Sequence, residues 1–356
     1  MRRFIGVLTC GLVCMLAVGA LRAAAQHPSW AYGFTEPPSP GAPAAAAAPA
    51  APAAPAGQAG AAAPAPAPDP TLHRLPGTDR TFTRAQLTSA AGPADWYPGD
   101  HPVMPDVVAK GRMGTAVTAC SLCHYPNGKG RPENSGVSGL PYEYFVQTMM
   151  DFRNDLRPSA DPRKANTTRM IAIAKAMTED EIRESARYFS SMPWTPWIKV
   201  VETRTVPKTR IQGGMFLRLE GNETEPIGVR IIEAPESNER SDLRDPRSGF
   251  IAYAPVGTTK AGEALVRTGG SGKTVQCGIC HGPNLEGMGP VPGLAGRSPS
   301  YVVRQLYDMQ MGARKGMWSA LMKPVVEKLT ADDLVAIGAY IASVPPQATV
   351  RQSAAR

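Results

Sequence analysis

Residues 120–124 read Cys-Ser-Leu-Cys-His, and residues 277–281 read Cys-Gly-Ile-Cys-His. These two pentapeptides hold four of the six cysteines and two of the five histidines in the 356-residue chain. They lie in register within a larger repeat. A shift of 157 residues carries Cys120, Cys123 and His124 onto Cys277, Cys280 and His281, and Tyr144, Val146, Asp151 and Arg157 onto Tyr301, Val303, Asp308 and Arg314. The first copy then has five additional residues, after which Met170, Thr178, Asp180, Tyr188 and Pro193 match Met322, Thr330, Asp332, Tyr340 and Pro345. One unit of about 90 residues is therefore present twice.

Two thiols three positions apart reach one planar macrocycle, and the adjacent histidine projects beneath it as an iron ligand. Cys-x-x-Cys-His thus reads as covalent haem c attachment. Two covalently bound haem c groups are expected, one on Cys120 and Cys123 with His124 at the iron, the other on Cys277 and Cys280 with His281. A zinc site would need two cysteine pairs about 15–20 residues apart, but 153 residues separate Cys123 from Cys277. A thioredoxin-like dithiol would need a βαβ setting, and the surroundings read as helical.

Each unit ends in a legible helix. Thr178-Glu-Asp-Glu181 is a capping-box pattern and Thr330-Ala-Asp-Asp333 its near variant. The helices that follow place Ile182, Ala186 and Phe189, and Leu334, Ile337, Gly338 and Ile341, on one apolar face, until Pro193 and Pro345 stop them. Further helices are expected near 141–153 and 298–312, and near 104–113 and 260–268 before each Cys pattern. Between the units, stretches such as Ile198–Val206, Met215–Glu220 and Gly228–Glu233 mix β-branched and charged residues and read as short strands or extended arms.

Arg2 and Arg3, an apolar run from Phe4 to Leu21, and Ala23-Ala24-Ala25 have the form of a secretory signal peptide. An uncleaved membrane anchor is the alternative, since the run is barely long enough to span. Cleavage removes three Arg and lowers the net charge from +8 to +5. Residues 37–70 contain 17 Ala and 11 Pro. They read as an extended, semi-rigid tether with a reach on the order of 100 Å at the polyproline rise. Charged residues are 19% and aromatics 6% of the chain, which excludes a heavily charged disordered protein and a multi-span membrane protein.

The two halves resemble class I cytochrome c domains arranged in tandem, as in two-haem cytochromes of the c-four type. The second half carries Cys277–His281 followed by Gly282, Pro292-Gly-Leu-Ala-Gly296, Tyr301-x-x-x-Gln305-Leu306, Gly312-x-Arg314, Met322 and Tyr340; the first keeps Gly139, Tyr144, Arg157, Met170 and Tyr188. The resemblance covers roughly half of the chain. It implies a mostly α fold, two tandem class I cytochrome c domains joined by an extended or β-rich segment. The organisation is then a signal peptide (1–25), a disordered Ala/Pro-rich linker (26–94), domain 1 (95–193), an interdomain segment (194–257), domain 2 (258–346) and a tail (347–356). No histidine follows His281, so thioether sulfur is the next sixth ligand. Met317 and Met322 both read as loop residues, but only Met322 has an aligned partner, Met170, and this pair matches the place of the family's axial methionine. His101 is the rival for the first haem. The resemblance also assigns the Pro292 carbonyl to His281, with Ser135 at the aligned position, and close helix crossings to Gly111 with Tyr188 and Gly262 with Tyr340.

Two six-coordinate haems move electrons and leave no open iron position. The expectation is a periplasmic, non-enzymatic carrier passing single electrons between redox proteins: a cytochrome complex, a dehydrogenase or a terminal oxidase. Alternatives are a cytochrome subunit of a membrane-associated dehydrogenase or oxidase, with Trp194 and Trp197 opening a docking arm, and a two-haem peroxidase. Membrane association would come from an uncleaved N-terminus. The positive charge suits acidic redox partners, and export argues against nucleic acid.

Overall fold

The computed structural model describes residues 26–45 and 69–347. The expected signal peptide, most of the Ala/Pro stretch and the end of the tail lie outside the described residues. No helix among the described residues is long and apolar enough to cross a membrane.

The capping boxes form as read. In the first unit the Glu181 amide donates to Thr178 Oγ1 (3.2 Å) and the Thr178 amide to Glu181 Oε2 (2.7 Å), starting the helix Glu179–Ser190. In the second, Thr330 and Asp333 exchange the same pair of bonds at the start of Ala331–Ser343. Ile182, Ala186 and Phe189 are buried in the first helix, and Leu334, Ile337, Gly338 and Ile341 in the second. The helices Tyr142–Arg153 and Pro299–Gln310 occupy the other expected stretches.

The helices before the Cys motifs differ. Thr258–Thr268 forms as expected, but the stretch 104–113 is helical only over Asp106–Ala109. Gly111, at φ +67°, turns the chain into an antiparallel bridge with Thr118. A Cβ there would overlap the backbone of Val117–Ala119, so Gly111 serves this turn and not a crossing with Tyr188. Gly262 does make the crossing: a Cβ on it would overlap the Ala336 carbonyl and press on Tyr340.

The middle segment is a folded body. Ile198–Thr203 runs parallel to Phe250–Pro255, which pairs antiparallel with Ile232–Pro235. Ile232, Ala252 and Ala254 share one apolar core with Val266, Leu334 and Ile337, so this sheet is packed onto the second unit. Shorter ladders join Thr205–Pro207 to Thr224–Pro226 and Thr209–Gln212 to Met215–Arg218. Helix makes up 36% and strand 13% of the described residues, so helix is the commoner element without being the majority that a mostly α fold would need. Trp194 and Trp197 are buried with Tyr125 and Phe250, not presented as a docking arm.

The expectation of a disordered linker over 26–94 fails at both ends. Ser29–Tyr32 is a helical turn buried at the junction of the units. The Tyr32 hydroxyl donates to Asp308 Oδ1 (2.6 Å), Lys164 Nζ donates to the Tyr32 carbonyl (3.2 Å) and the Ala45 amide to the Pro162 carbonyl (2.7 Å). Further on, His73–Arg74 pairs with Thr81–Phe82, and Trp96 is buried against the middle segment with Nε1 donating to the Leu243 carbonyl (2.8 Å). The sequence misled because Pro and Ala dominate only the centre of the stretch, whereas Trp30, Tyr32, Leu75, Leu87 and Trp96 supply buried area at its flanks.

Gly262→Ala gains about 1 kcal/mol of helix propensity, but overpacking costs roughly 1–3 kcal/mol. With backbone as the obstacle the steric cost wins, and the holoprotein should melt at lower temperature, followed by circular dichroism. An unchanged or raised Tm would refute the close crossing.

Candidate functional site

Each Cys-x-x-Cys-His stretch forms a single helical turn, Cys120–His124 and Gly278–His281. His124 Nδ1 donates to the Ser135 carbonyl and His281 Nδ1 to the Pro292 carbonyl, both at 2.8 Å and both eleven residues downstream. A carbonyl only accepts, so the bond fixes the Nδ1–H tautomer and leaves the Nε2 lone pair for a metal. Burial pushes both imidazoles below their usual pKa, which keeps them neutral. The next residue has an almost common backbone: Gly282 at φ +83°, ψ 151°, and Tyr125 at φ +62°, ψ 157°. This conformation costs a non-glycine residue about 1–3 kcal/mol. Tyr125 offsets it by packing among Trp194, Trp197 and Phe250.

Two cavities of about 110 and 140 Å³ flank His124 and share Asn134, Phe145, Met149 and Met170. One also touches Cys120 and Cys123. The other is lined by apolar side chains, including Val137, Leu140 and Phe152, and by Arg157, Lys164 and Arg304 together with Glu133 and Asp308. A largely apolar lining with a few basic groups suits a flat apolar macrocycle bearing two carboxylates. The residues present fit a haem.

Four predicted site residues of the first unit, Cys120, Cys123, His124 and Met170, thus border one cavity. In the second unit Cys277 and Met322 are half-buried against the same apolar core, and Cys280 is exposed. Both methionines lie in helices, Ala165–Ala176 and Ser319–Val326, and for Met322 this replaces the expected loop. Residues 165–176 hold no Gly or Pro to break the turn. The Ser319–Val326 helix forms even with Pro324 inside it. His101 is engaged elsewhere: Nδ1 lies 2.8 Å from the Pro102 carbonyl and Nε2 3.2 Å from Asp95 Oδ1. It lines neither cavity.

Burial pushes the Cys120 and Cys277 thiols up to about 11. A redox or metal-binding cysteine needs the opposite shift. Among the described residues no three His, Cys, Asp or Glu side chains gather as a metal-binding group.

The aligned pairs Tyr144/Tyr301 and Arg157/Arg314 turn out to be exchanged between units. Arg157 donates to the Tyr301 hydroxyl (2.9 Å) and Gln305 Oε1 (2.8 Å); Arg314 donates to the Tyr144 hydroxyl (3.0 Å) and Gln305 Oε1 (2.9 Å). Burial opposes ionisation of Tyr144, but the Arg314 and Arg157 guanidiniums outweigh it and hold the phenol below its usual range. The repeat contained these residues; only a two-fold relation between the units would have paired them.

No family model matches the chain. It is 36% identical over 228 residues to cytochrome c4 of Azotobacter vinelandii, covering 62% of this chain and 82% of that protein. It is 36% identical over 84 residues to cytochrome c-554(548) of Halomonas halodenitrificans, covering 23% of this chain and 98% of that protein. It is also 24% identical over 241 residues to a thiosulfate dehydrogenase electron acceptor of Thiomonas intermedia, covering 66% of this chain and 83% of that protein.

Lys164, which lines this cavity, is lowered to about 7, mainly by burial and then by Arg304. An unfolded lysine keeps its proton to about 10.4. Between these values the unfolded chain binds the extra proton, so the contribution of Lys164 to stability rises with pH. Lys164→Met should flatten the increase in Tm between about pH 7 and 9; equal slopes in both proteins would contradict this.

Proposed function

Because the chain belongs to the cytochrome c4 family of two-haem class I c-type cytochromes, we propose that it is a periplasmic carrier passing single electrons from a dehydrogenase or cytochrome complex to a terminal oxidase or another cytochrome. It is a di-haem electron-transfer cytochrome with two covalently bound haem c groups. The export-type N-terminus supports the periplasmic assignment. In this reading Cys120 and Cys123 hold the first haem and Cys277 and Cys280 the second.

When bound, each haem supplies one Fe(III)/Fe(II) couple. The chain's own groups set its properties. His124 and His281 would give Nε2 to the iron, and the Ser135 and Pro292 carbonyls fix their orientation. Met170 and Met322 would supply the second protein ligand of each iron, a thioether that favours the reduced metal and raises the potential. Phe145, Met149 and Phe152 line the cavity beside His124 with apolar surface. Sites so held would exchange electrons and leave no position for peroxide. The observation that carries the reading is the shared cavity of Cys120, Cys123, His124 and Met170. The similarity to a thiosulfate dehydrogenase electron acceptor favours a dehydrogenase as the donor.

A pyridine haemochrome assay should count two haems per chain. Met170→Ala and Met322→Ala should each remove the sulfur-to-iron charge-transfer absorption of one haem. Each should also lower one of two one-electron waves by on the order of 0.1 V, a fraction of the roughly 0.8 V that axial ligands command. A variant keeping both bands and both waves would reassign the ligand.

A further inference from the structure

The two Cys-x-x-Cys-His turns share their internal geometry but not their surroundings. In the first unit Tyr125 is 2% exposed, in a cluster whose other members, Trp194, Trp197, Met215, Leu217 and Phe250, all come from the middle segment. Arg244 of the same segment stands 5.2 Å from the Tyr125 ring and acts electrostatically on Cys123. The cover is tied down: Asn127 Nδ2 donates to the Pro246 carbonyl (2.9 Å) and Trp197 Nε1 to the Gly130 carbonyl (3.1 Å). In the second unit glycine replaces the tyrosine. There Ile279 is 61% exposed and Cys280 is exposed.

A thioether joins the macrocycle edge directly to the cysteine sulfur. Where that cysteine is at the surface, so is the edge, and electron exchange falls steeply with edge-to-edge distance. The cavity beside His124, by contrast, is walled on one side by Tyr301, Arg304 and Gln305 of the second unit. We propose that the Ile279–Cys280 edge is the electron port of this protein and docks an acidic one-electron redox protein. The middle segment covers the corresponding edge of the first unit, leaving Leu122 and Cys123 half-buried where Ile279 and Cys280 are exposed, so that its haem exchanges electrons mainly by way of the second. This rests on the haem reading above.

The surface around the port fits such a partner. Leu321 is 75% and Val275 39% exposed. Thr274 Oγ1 donates to the Val325 carbonyl (2.6 Å), joining the strip before Cys277 to the helix that carries Leu321 and the exposed Lys323. The exposed charged residues of 258–347 are Lys260, Arg267, Lys315, Lys323 and Lys328 against Glu263, Glu327 and Asp332. An apolar patch with Lys323 beside it, on a surface of net positive charge, suits an acidic docking face.

The test uses the full-length holoprotein and hexacyanochromate(III), a paramagnetic anion, as probe, read by broadening of haem-methyl proton signals. Broadening should be confined to the second haem. Ile279→Glu, on an exposed side chain, should weaken it by at least roughly fivefold at low salt, the effect between two unit charges a few ångströms apart in water, which the three charges of the probe enlarge. Tyr125→Gly copies the second unit and should bring the first haem's signals into the broadened set. Equal broadening of both haems in the unmodified protein, or an Ile279→Glu protein that broadens as before, overturns the proposal. Should Tyr125→Gly fail to fold, those two comparisons decide. Two intact one-electron waves alongside either overturning result would sink the port alone; absent waves would sink the carrier reading instead.

Discussion

In both units the imidazole of the Cys-x-x-Cys-His turn gives its Nδ1 proton to a backbone carbonyl eleven residues on. The rest of the site depends on that bond. It selects the tautomer, aims Nε2 away from the backbone and holds the ring while burial keeps it neutral. The acceptor is a backbone carbonyl, so Ser135 serves in one unit and Pro292 in the other. The chain retains the path of the backbone there, not the side chain.

Around this common element the units diverge by what packs on them. Tyr125 takes a strained backbone that Gly282 takes freely, and its ring then anchors the middle segment over the first unit. The sheet of that segment sits on the second unit, where Ile232 and Ala252 join Val266 and Leu334. One insertion therefore contributes to both halves, with its aromatic end on the first and its sheet on the second. The Ser29–Tyr32 turn adds a third tie, touching Lys164 of one half and Asp308 and Arg304 of the other.

The junction between the halves is polar as well as buried. Arg157 and Arg304 are both 5% exposed, yet each donates to several acceptors across the boundary. Isolated buried cations would be prohibitive, and breaking such a pair leaves an uncompensated charge. The exchanged Tyr–Arg pairs keep these buried guanidiniums bonded across the boundary between the two units.

The sequence alone determined the duplicated unit, the two attachment motifs, the capping boxes and the apolar helix faces. All of these are encoded by spacing within one or two helical turns, or by the shift between copies. Tertiary structure decided the rest. It placed Gly111 in a turn while Gly262 made the crossing, put Met170 and Met322 in helices, folded both flanks of the Ala/Pro stretch onto the body and crossed the Arg157 and Arg314 pairs. It also covered one motif and exposed the other. These outcomes turn on contacts between residues often more than a hundred positions apart, where burial and hydrogen-bond satisfaction of the whole body, and no local periodicity, select the partner.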